Sequence, residues 1–195
     1  KAIRRQRQMC IRDSCKDSDA YLQASLYAYK LEPSADAAVG CAAMAFKKGD
    51  IDGSVKFFDE AINLETDNAK KADNAYKAAS VLASAKKLSQ ARSYAQKAIS
   101  FNENFGAPYI LIAQLYAGNY KWNDEPALNK CTFFAAIDKL QRAKAVDPSV
   151  AEEANKLISS YSAYTPEAKD LFMLGYKAGD RITIGGWIGE TTTIR

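Results

Sequence analysis

Small residues recur along this chain at a nearly fixed interval, and this recurrence constrains the fold more than any other feature. A half copy of the pattern, residues 28–33, comes first, and three fuller copies follow. The copies contain Cys41-Ala42, Ser54, Phe58 and Ala61; Ala78-Ala79, Ala91, Ala95 and Ala98; and Ile112-Ala113, Ala136, Leu140, Ala143 and Pro148. Because units that repeat in this way pack on their neighbours, the recurrence predicts a stack of helical hairpins.

The intervals between equivalent positions reveal an insertion in the third copy. Ala61 and Ala98 are 37 residues apart, and Ala78 and Ile112 are 34 residues apart. The two halves of a copy are separated by 13 residues in the first and second copies, but by 24 residues in the third. We therefore expect an insertion between the two helices of the third hairpin, near residues 118–130.

This pattern resembles the tetratricopeptide repeat, a helix–turn–helix unit of about 34 residues. The third copy matches the family pattern best, with Tyr109, Ile112-Ala113 and Tyr116, whereas Ala38 and Ala75 replace the usual opening aromatic residue. The resemblance implies an all-α fold: a right-handed α-solenoid of tetratricopeptide helical hairpins, to which the tail adds a small C-terminal β-hairpin. The alternative is an irregular helical bundle that happens to be rich in alanine.

The C-terminal part carries a second resemblance. Residues 143–148, 153–158 and 185–192, the last reading GGWIGETT, are similar to the tail of a group of bacterial tetratricopeptide-repeat proteins. Members of that group generally begin with a secretion signal and a longer repeat array. The resemblance implies the C-terminal part of a protein of the periplasm or cell envelope, although this sequence contains no signal-peptide pattern. It implies no defined activity.

The first fourteen residues are unlike the rest of the chain. They have no amphipathic period, and Met9–Ser14 resembles the translation of a transposon-end sequence used to prepare DNA libraries. Their net charge of +4 equals that of the whole chain, so the pI of about 8.8 is not evidence for nucleic-acid binding. We interpret residues 1–14 as non-native or disordered; the alternative is a basic arm that binds RNA or membrane.

The remaining chain divides into helical repeats over residues 15–163 and a C-terminal capping helix with a β-hairpin over residues 164–195. We expect the last two helices near residues 149–162 and 166–177, capped by Ser149 and Thr165. After them the sequence alternates with period two, and Gly185-Gly186 suits a two-residue turn. This turn would pair Arg181 with Glu190 and Ile184 with Trp187, and we expect the hairpin to lay its apolar face on the last helix. That face contains Ile182, Ile184 and Trp187, and we expect it to lie near Phe172 or Tyr176.

The composition argues against most catalytic and metal chemistry. The chain has no histidine, which removes most general-base schemes and nearly all catalytic zinc sites. Its four cysteines include no Cys-x-x-Cys pair, so we expect neither a disulfide framework nor a metal site. No apolar run approaches 18 residues, and the GGWIG segment lacks the order of a dinucleotide loop. The sequence therefore predicts a non-enzymatic protein without cofactors, inserted in no membrane and binding no nucleic acid.

A ligand has two candidate places. One is the concave groove that the first helices of the hairpins would line, with exposed positions at Asp36, Phe46, Asp73, Tyr76, Ser80, Ile110 and Gln114. The groove lacks the Lys/Asn set with which family members clamp a peptide carboxylate, and Phe46 and Tyr76 could instead only cover the inner seam. The other place is the insertion loop, where Tyr120 and Trp122 either bind a partner or tuck into the neighbouring hairpin as a staple.

These features predict a scaffold that mediates protein–protein interaction and binds a peptide or protein segment of unidentified sequence in the groove. The alternative is a structural protein of the bacterial cell envelope that self-associates through the C-terminal hairpin, because an exposed strand edge is a template for pairing.

Overall fold

The computed structural model describes residues 19–195, which form two compact units divided between Lys86 and Lys87. Residues 1–14, interpreted above as non-native or disordered, lie outside the described residues. The described part of the first unit contains the helices α1 (Asp19–Leu31), α2 (Ala35–Lys47), α3 (Ile51–Leu64) and α4 (Asn68–Ser84). Each helix packs on the next in sequence, as in a series of helical hairpins.

Side chains at the helix starts fix the boundaries of the first unit. The Ser34 hydroxyl accepts a hydrogen bond of 3.3 Å from the backbone N–H of Ala37, as expected for a cap. Asp50 and Asp67 accept equivalent bonds at the starts of α3 and α4. Such caps satisfy backbone donors that have no partner inside the helix, and each contributes about 1 kcal/mol.

The second unit contains the C-terminal helices and the β-hairpin. Its elements are α5 (Leu88–Phe101), α6 (Gly106–Gly118), α7 (Pro126–Lys130), α8 (Thr132–Val146), a 3-10 turn (Pro148–Val150), α9 (Ala151–Ser162), α10 (Ala168–Met173), β1 (Arg181–Thr183) and β2 (Thr191–Thr193). Helix α8 is central, because α6, α9 and β2 all pack on it.

The recurring small residues lie in the cores of the two units. Each of the following side chains is fully buried, with an exposed fraction of 0%: Ala42, Ala61, Ala79, Ala98, Ala113 and Ala143. An alanine at such a position allows close packing of the helix backbones, whereas a larger side chain would force the helices apart. The packed helical hairpins and the small C-terminal sheet agree with the fold class expected from the sequence.

The segment between α6 and α8 is ordered around one asparagine. The side-chain oxygen of Asn129 accepts hydrogen bonds from the backbone N–H groups of Trp122 at 2.7 Å and Asn123 at 2.9 Å. Its amide nitrogen donates a bond of 2.7 Å to the Asn123 carbonyl. Asn129 is buried, so these bonds replace the ones that it would make to water. The insertion is thus a compact loop that contains the short helix α7.

Three local predictions near the C-terminus are wrong. The last helix covers only Ala168–Met173, because the chain turns at Leu174 and Gly175 takes a φ of 87°. Thr165 does not cap it; its hydroxyl donates to the Ser162 carbonyl instead. Ser149 does not cap α9 either, because it lies inside the 3-10 turn, whose cap is the carboxylate of Asp147.

The predicted register of the β-hairpin is also wrong. Arg181 pairs with Thr193 and Thr183 with Thr191, so residues 184–190 form a seven-residue loop in place of a two-residue turn. The tight turn would place Ile184 and Ile188 on opposite faces of the hairpin, because side chains alternate along a strand. The wider loop buries both of them, at 0% and 1% exposure.

Candidate functional site

The β-hairpin is held against the second unit by a polar network centred on Glu190. Its carboxylate accepts a hydrogen bond of 2.7 Å from the hydroxyl of Tyr116 on α6, and pairs with Lys139 on α8 at 2.8 Å. Arg92 on α5 donates a hydrogen bond to the carbonyl of Ile188. Burial, followed by the hydrogen bond to Glu190, raises the pKa of Tyr116. Three helices therefore fix the loop of the hairpin.

A second group of contacts holds β2 and the chain end. Asp138 on α8 accepts a hydrogen bond of 2.6 Å from the Thr192 hydroxyl and also pairs with Arg195. The Arg195 guanidinium lies 5.8 Å from the centre of the Phe134 ring. These contacts, with those of Glu190, place the hairpin on α5, α6 and α8.

The expected packing of Trp187 on the last helix is wrong. Trp187 packs edge-to-face on Tyr116, with ring centres 5.6 Å apart, and Phe172 is 69% exposed. Trp187 itself is only partly buried, and the hairpin face that packs on the helices contains Ile182, Ile184, Ile188 and Ile194, all of them buried.

Trp122 joins the insertion loop to the hairpin. Its ring packs on Gly185, where a Cβ atom would lie only 2.8 Å from the ring atom Cε3. Only glycine at position 185 allows the Trp122 ring to come this close to the backbone. Trp122 therefore holds the insertion loop in place as a staple, but it packs on the β-hairpin and not on a neighbouring helical hairpin. Among the described residues, the buried indole nitrogen has no hydrogen-bond partner, so packing alone positions this ring.

The first unit contains a cleft between α2 and α4, with α3 as its floor. The cleft has a volume of about 430 Å³. It combines apolar and charged lining residues: Val39, Ala43, Phe58, Asp36, Glu65, Lys70, Asp73 and Lys77. Two of the predicted groove residues, Asp36 and Asp73, meet here although they are 37 positions apart in sequence. Sequence reasoning overlooked Asn74, which is 5% exposed and also lines the cleft.

Ion pairs arrange the charges along this cleft. Lys77 pairs with Asp73 at 2.5 Å, one helical turn apart, and Lys70 lies 3.8 Å from Glu65. Asp36 is exposed and has no ion-pair partner in the part of the chain that the structure describes. The cleft therefore offers one carboxylate beyond those already paired.

Three other predicted groove residues of the first unit lie outside the lining of this cleft. Phe46 is 43% exposed near the end of α2, and Tyr76 is partly buried. The Ser80 hydroxyl donates a hydrogen bond of 3.0 Å to the carbonyl of Tyr76, its own helix neighbour. None of these observations assigns a ligand contact to the three residues.

In the second unit, Ile110 is only 4% exposed, so the expectation that it is an exposed groove position is wrong. It lies in α6, most of whose apolar residues are buried. Gln114, one turn further along, is exposed as expected.

Gln114 and Tyr120 lie together at a pocket that the sequence did not predict. This aromatic pocket has a volume of about 450 Å³ and is lined by Gln114, Ala117, Gly118, Tyr120, Lys130, Phe133, Tyr161 and Tyr164. Phe133 is its centre, with ring-centre distances of 5.6 Å to Tyr120, 5.9 Å to Tyr161 and 5.5 Å to Tyr164. Burial raises the pKa of Tyr161.

The two described cysteines, Cys41 and Cys131, are buried and free. Burial raises the pKa of the Cys131 thiol to about 11, so it stays protonated and unreactive at neutral pH. Within residues 19–195 no cluster of three potential metal ligands occurs. No helix in that range combines the length and apolar character needed to span a bilayer.

The fold is similar to that of MamA, a tetratricopeptide-repeat protein. The TM-score with the crystal structure of MamA is 0.53, at 15% sequence identity, over 83% of this chain and 91% of the MamA chain. No protein-family model matches the sequence, and no curated protein is significantly similar to it. The likeness shows that this chain has a tetratricopeptide-type helical fold.

Proposed function

We propose that this protein is a non-enzymatic scaffold that binds an extended peptide or protein segment in the cleft of the first unit. The observation that carries the proposal is the cleft itself, in which Asp36 and Asp73, from separate helices, border the small apolar side chains of Val39 and Ala43. Apolar lining with a few fixed polar groups is typical of sites that orient a ligand.

The charges of the cleft favour a partner segment with a basic residue. Asp73 is already paired with Lys77, whereas the carboxylate of Asp36 is exposed at the first turn of α2. A lysine or arginine of the partner would pair with Asp36 while an apolar neighbour covers Val39 and Ala43. Such a contact stabilises binding modestly at a solvated rim and mainly selects the partner.

Selection from a phage-displayed peptide library, followed by NMR titration of a selected peptide, tests this proposal. We expect chemical-shift changes at residues of the cleft, and about tenfold weaker binding for Asp36→Lys. Glu32→Lys is the matched control, because Glu32 is an exposed carboxylate of the same unit that does not line the cleft. Shift changes confined to the second unit, or equal losses in both variants, would refute the assignment of the cleft.

The alternative is a structural role in the bacterial cell envelope, with self-association through the C-terminal hairpin. The observation that favours it is the two-stranded sheet itself: among the described residues β1 and β2 pair only with each other, so each strand has an outer edge on which a second chain could pair. Light scattering of the full chain, compared with a chain that ends at Gly179, distinguishes the two functions. A concentration-dependent dimer that the truncation abolishes, with helical content retained, supports self-association over peptide binding.

A further inference from the structure

We propose that the aromatic pocket of the second unit binds a proline-containing segment of a partner protein that carries an acidic residue beside its prolines. This site is separate from the cleft of the first unit and does not depend on the function proposed for that cleft. Three features of the pocket carry the inference: its ring faces, its side-chain donors and its charge.

The ring faces form an open apolar surface around Phe133. Phe133 is 7% exposed and is fixed by three tyrosines, whereas Tyr120 is 37% exposed and Tyr164 is 58% exposed. The Tyr164 ring lies nearly parallel to Phe133, at an interplanar angle of 26°. Proline rings are compact and apolar, and grooves lined with aromatic residues are the usual sites for proline-rich segments.

Side-chain donors at the pocket match the backbone of such a segment. A polyproline II helix has no internal hydrogen bonds, so its carbonyl groups need donors when it binds. The exposed amide of Gln114 and the hydroxyls of the partly exposed Tyr120 and Tyr164 are donors of this kind at the rim. Because proline has no backbone N–H group, a proline-rich partner brings few hydrogen-bond donors that the pocket would have to satisfy.

The charge of the pocket selects an acidic neighbour of the prolines. Lys130 is exposed and carries a positive charge, whereas the other residues that line the pocket are uncharged at neutral pH. Glu167 lies close enough for its pKa to be lowered, first by its hydrogen bond to Lys169 and, more weakly, by the charge of Lys130. Since Glu167 pairs with Lys169 at 2.8 Å, the ammonium group of Lys130 can donate hydrogen bonds to a carboxylate of a partner.

Other kinds of partner segment fit this pocket less well. A strand would need an open sheet edge to pair with, and the walls of the pocket come from helices and the insertion loop. A helical partner would need apolar anchors over several turns and therefore a long groove, whereas this pocket is a short site with a volume of about 450 Å³. Prolines three residues apart share one face of a polyproline II helix and suit a short site.

Fluorescence anisotropy with a labelled synthetic peptide tests the proposal. The probe is a peptide of about ten residues with prolines three positions apart, followed by two glutamates. We expect saturable binding, with a Kd of about 10–100 µM. A peptide with alanine in place of proline should bind about tenfold more weakly, and one with lysine in place of glutamate about threefold more weakly.

Variants of the protein locate the binding. Tyr164→Ala should weaken binding about tenfold, and Tyr164→Phe, which keeps the ring, no more than about threefold. Tyr27→Ala is the matched control, since Tyr27 is 72% exposed and lies in the first unit. Lys130→Glu should weaken binding of the glutamate peptide and strengthen binding of the lysine peptide. Circular dichroism of every variant checks that the fold is retained.

Several results would overturn the proposal. One is the absence of an anisotropy change at protein concentrations up to about 1 mM. Equal binding of the proline and alanine peptides would assign the pocket to apolar segments in general. Equal binding by Tyr164→Ala and the parent chain would place the peptide elsewhere. Dimerisation that Tyr164→Ala abolishes and the peptide does not displace would assign the pocket to a second copy of the chain.

Discussion

The hydroxyl of Tyr116 donates a hydrogen bond of 2.7 Å to the carboxylate of Glu190, 74 residues later in the chain. This bond joins the last turn of α6 to the hairpin loop. Because Tyr116 is fully buried and its acceptor is charged, we expect a double-mutant cycle with Tyr116→Phe and Glu190→Gln to give a coupling energy of about 1–2 kcal/mol. Urea unfolding of the four proteins measures it, and a coupling near zero would contradict a cooperative contact.

The same contact predicts a loss of stability at high pH. The pKa of Tyr116 is raised in the folded protein, first by burial and then by the bond to Glu190. Its contribution is therefore complete below the unfolded pKa of about 10 and declines as the pH rises above that value. Urea unfolding between pH 8 and pH 11 should show a steeper decline for the parent chain than for Tyr116→Phe; parallel declines would show that other groups cause the effect.

Gly185→Ala should destabilise the second unit by about 1–3 kcal/mol, because the new methyl group would overlap the ring of Trp122. Gly118→Ala is the matched control, since a Cβ there meets no atom within 4 Å, and we expect it to be neutral or slightly stabilising. Thermal unfolding compares them. The loss should shrink when Gly185→Ala is combined with Trp122→Ala; a loss that stays the same would exclude steric overlap as its cause.

Ala113→Leu should cost about 1–3 kcal/mol, because Ala113 is fully buried in α6 and has no space for a larger side chain. Ala145→Leu, at an exposed position of α8, should have little effect. Thermal unfolding measures both variants. Equal melting temperatures would show that the assignment of Ala113 to a tight helix seam is wrong.

Ile184→Ala should destabilise the protein by about 2–5 kcal/mol, and more than Trp187→Ala does. Ile184 has an exposed fraction of 0%, whereas Trp187 is partly exposed and packs on Tyr116 at one edge. Chemical denaturation of the two variants gives the order directly. A larger loss for Trp187→Ala would mean that the indole, and not the row of isoleucines, seals the hairpin to the helices.

Asp147→Ala should cost about 0.5–2 kcal/mol at neutral pH, because its carboxylate accepts hydrogen bonds from Ser149 and from the Gly106 backbone. These hydrogen bonds lower the pKa of Asp147, and the bond from the Ser149 hydroxyl has the largest effect. The stabilisation is therefore present above the unfolded pKa of about 3.9 and is lost as the pH falls through the lower folded value. Urea unfolding at pH 7 and pH 2.5 should show the difference between parent and variant shrinking, with Asp124→Ala as an exposed control.

Local patterns predicted the helical part of the fold because its determinants are local. Alanines at fixed intervals and an interrupted repeat are visible in the sequence, and the helices follow them. The hairpin register was missed because it depends on the packing of Trp122 on Gly185 and on the burial of Ile188, which are established only in the folded chain. No short-range period encodes a contact between residues 122 and 185.

The residues of the aromatic pocket could likewise be predicted only in part from the sequence. Gln114 and Tyr120 were named from a helix face and a loop, but Phe133, Tyr161 and Tyr164 were not. Phe133 falls within a helix that is buried along most of its length, so its sequence position indicates a core residue. The concentration of aromatic residues after the insertion was the one available signal, and it does not specify which rings meet.

The packing of Trp122 on Gly185 and of Trp187 on Tyr116 gives the protein a built-in spectroscopic reporter. These are the two tryptophans of the chain, and both lie where the hairpin joins the second unit. Indole emission therefore follows the release of the hairpin, whereas far-ultraviolet circular dichroism follows the helices of both units. Recording both signals during one denaturation determines whether residues 19–86 and residues 87–195 melt together or separately.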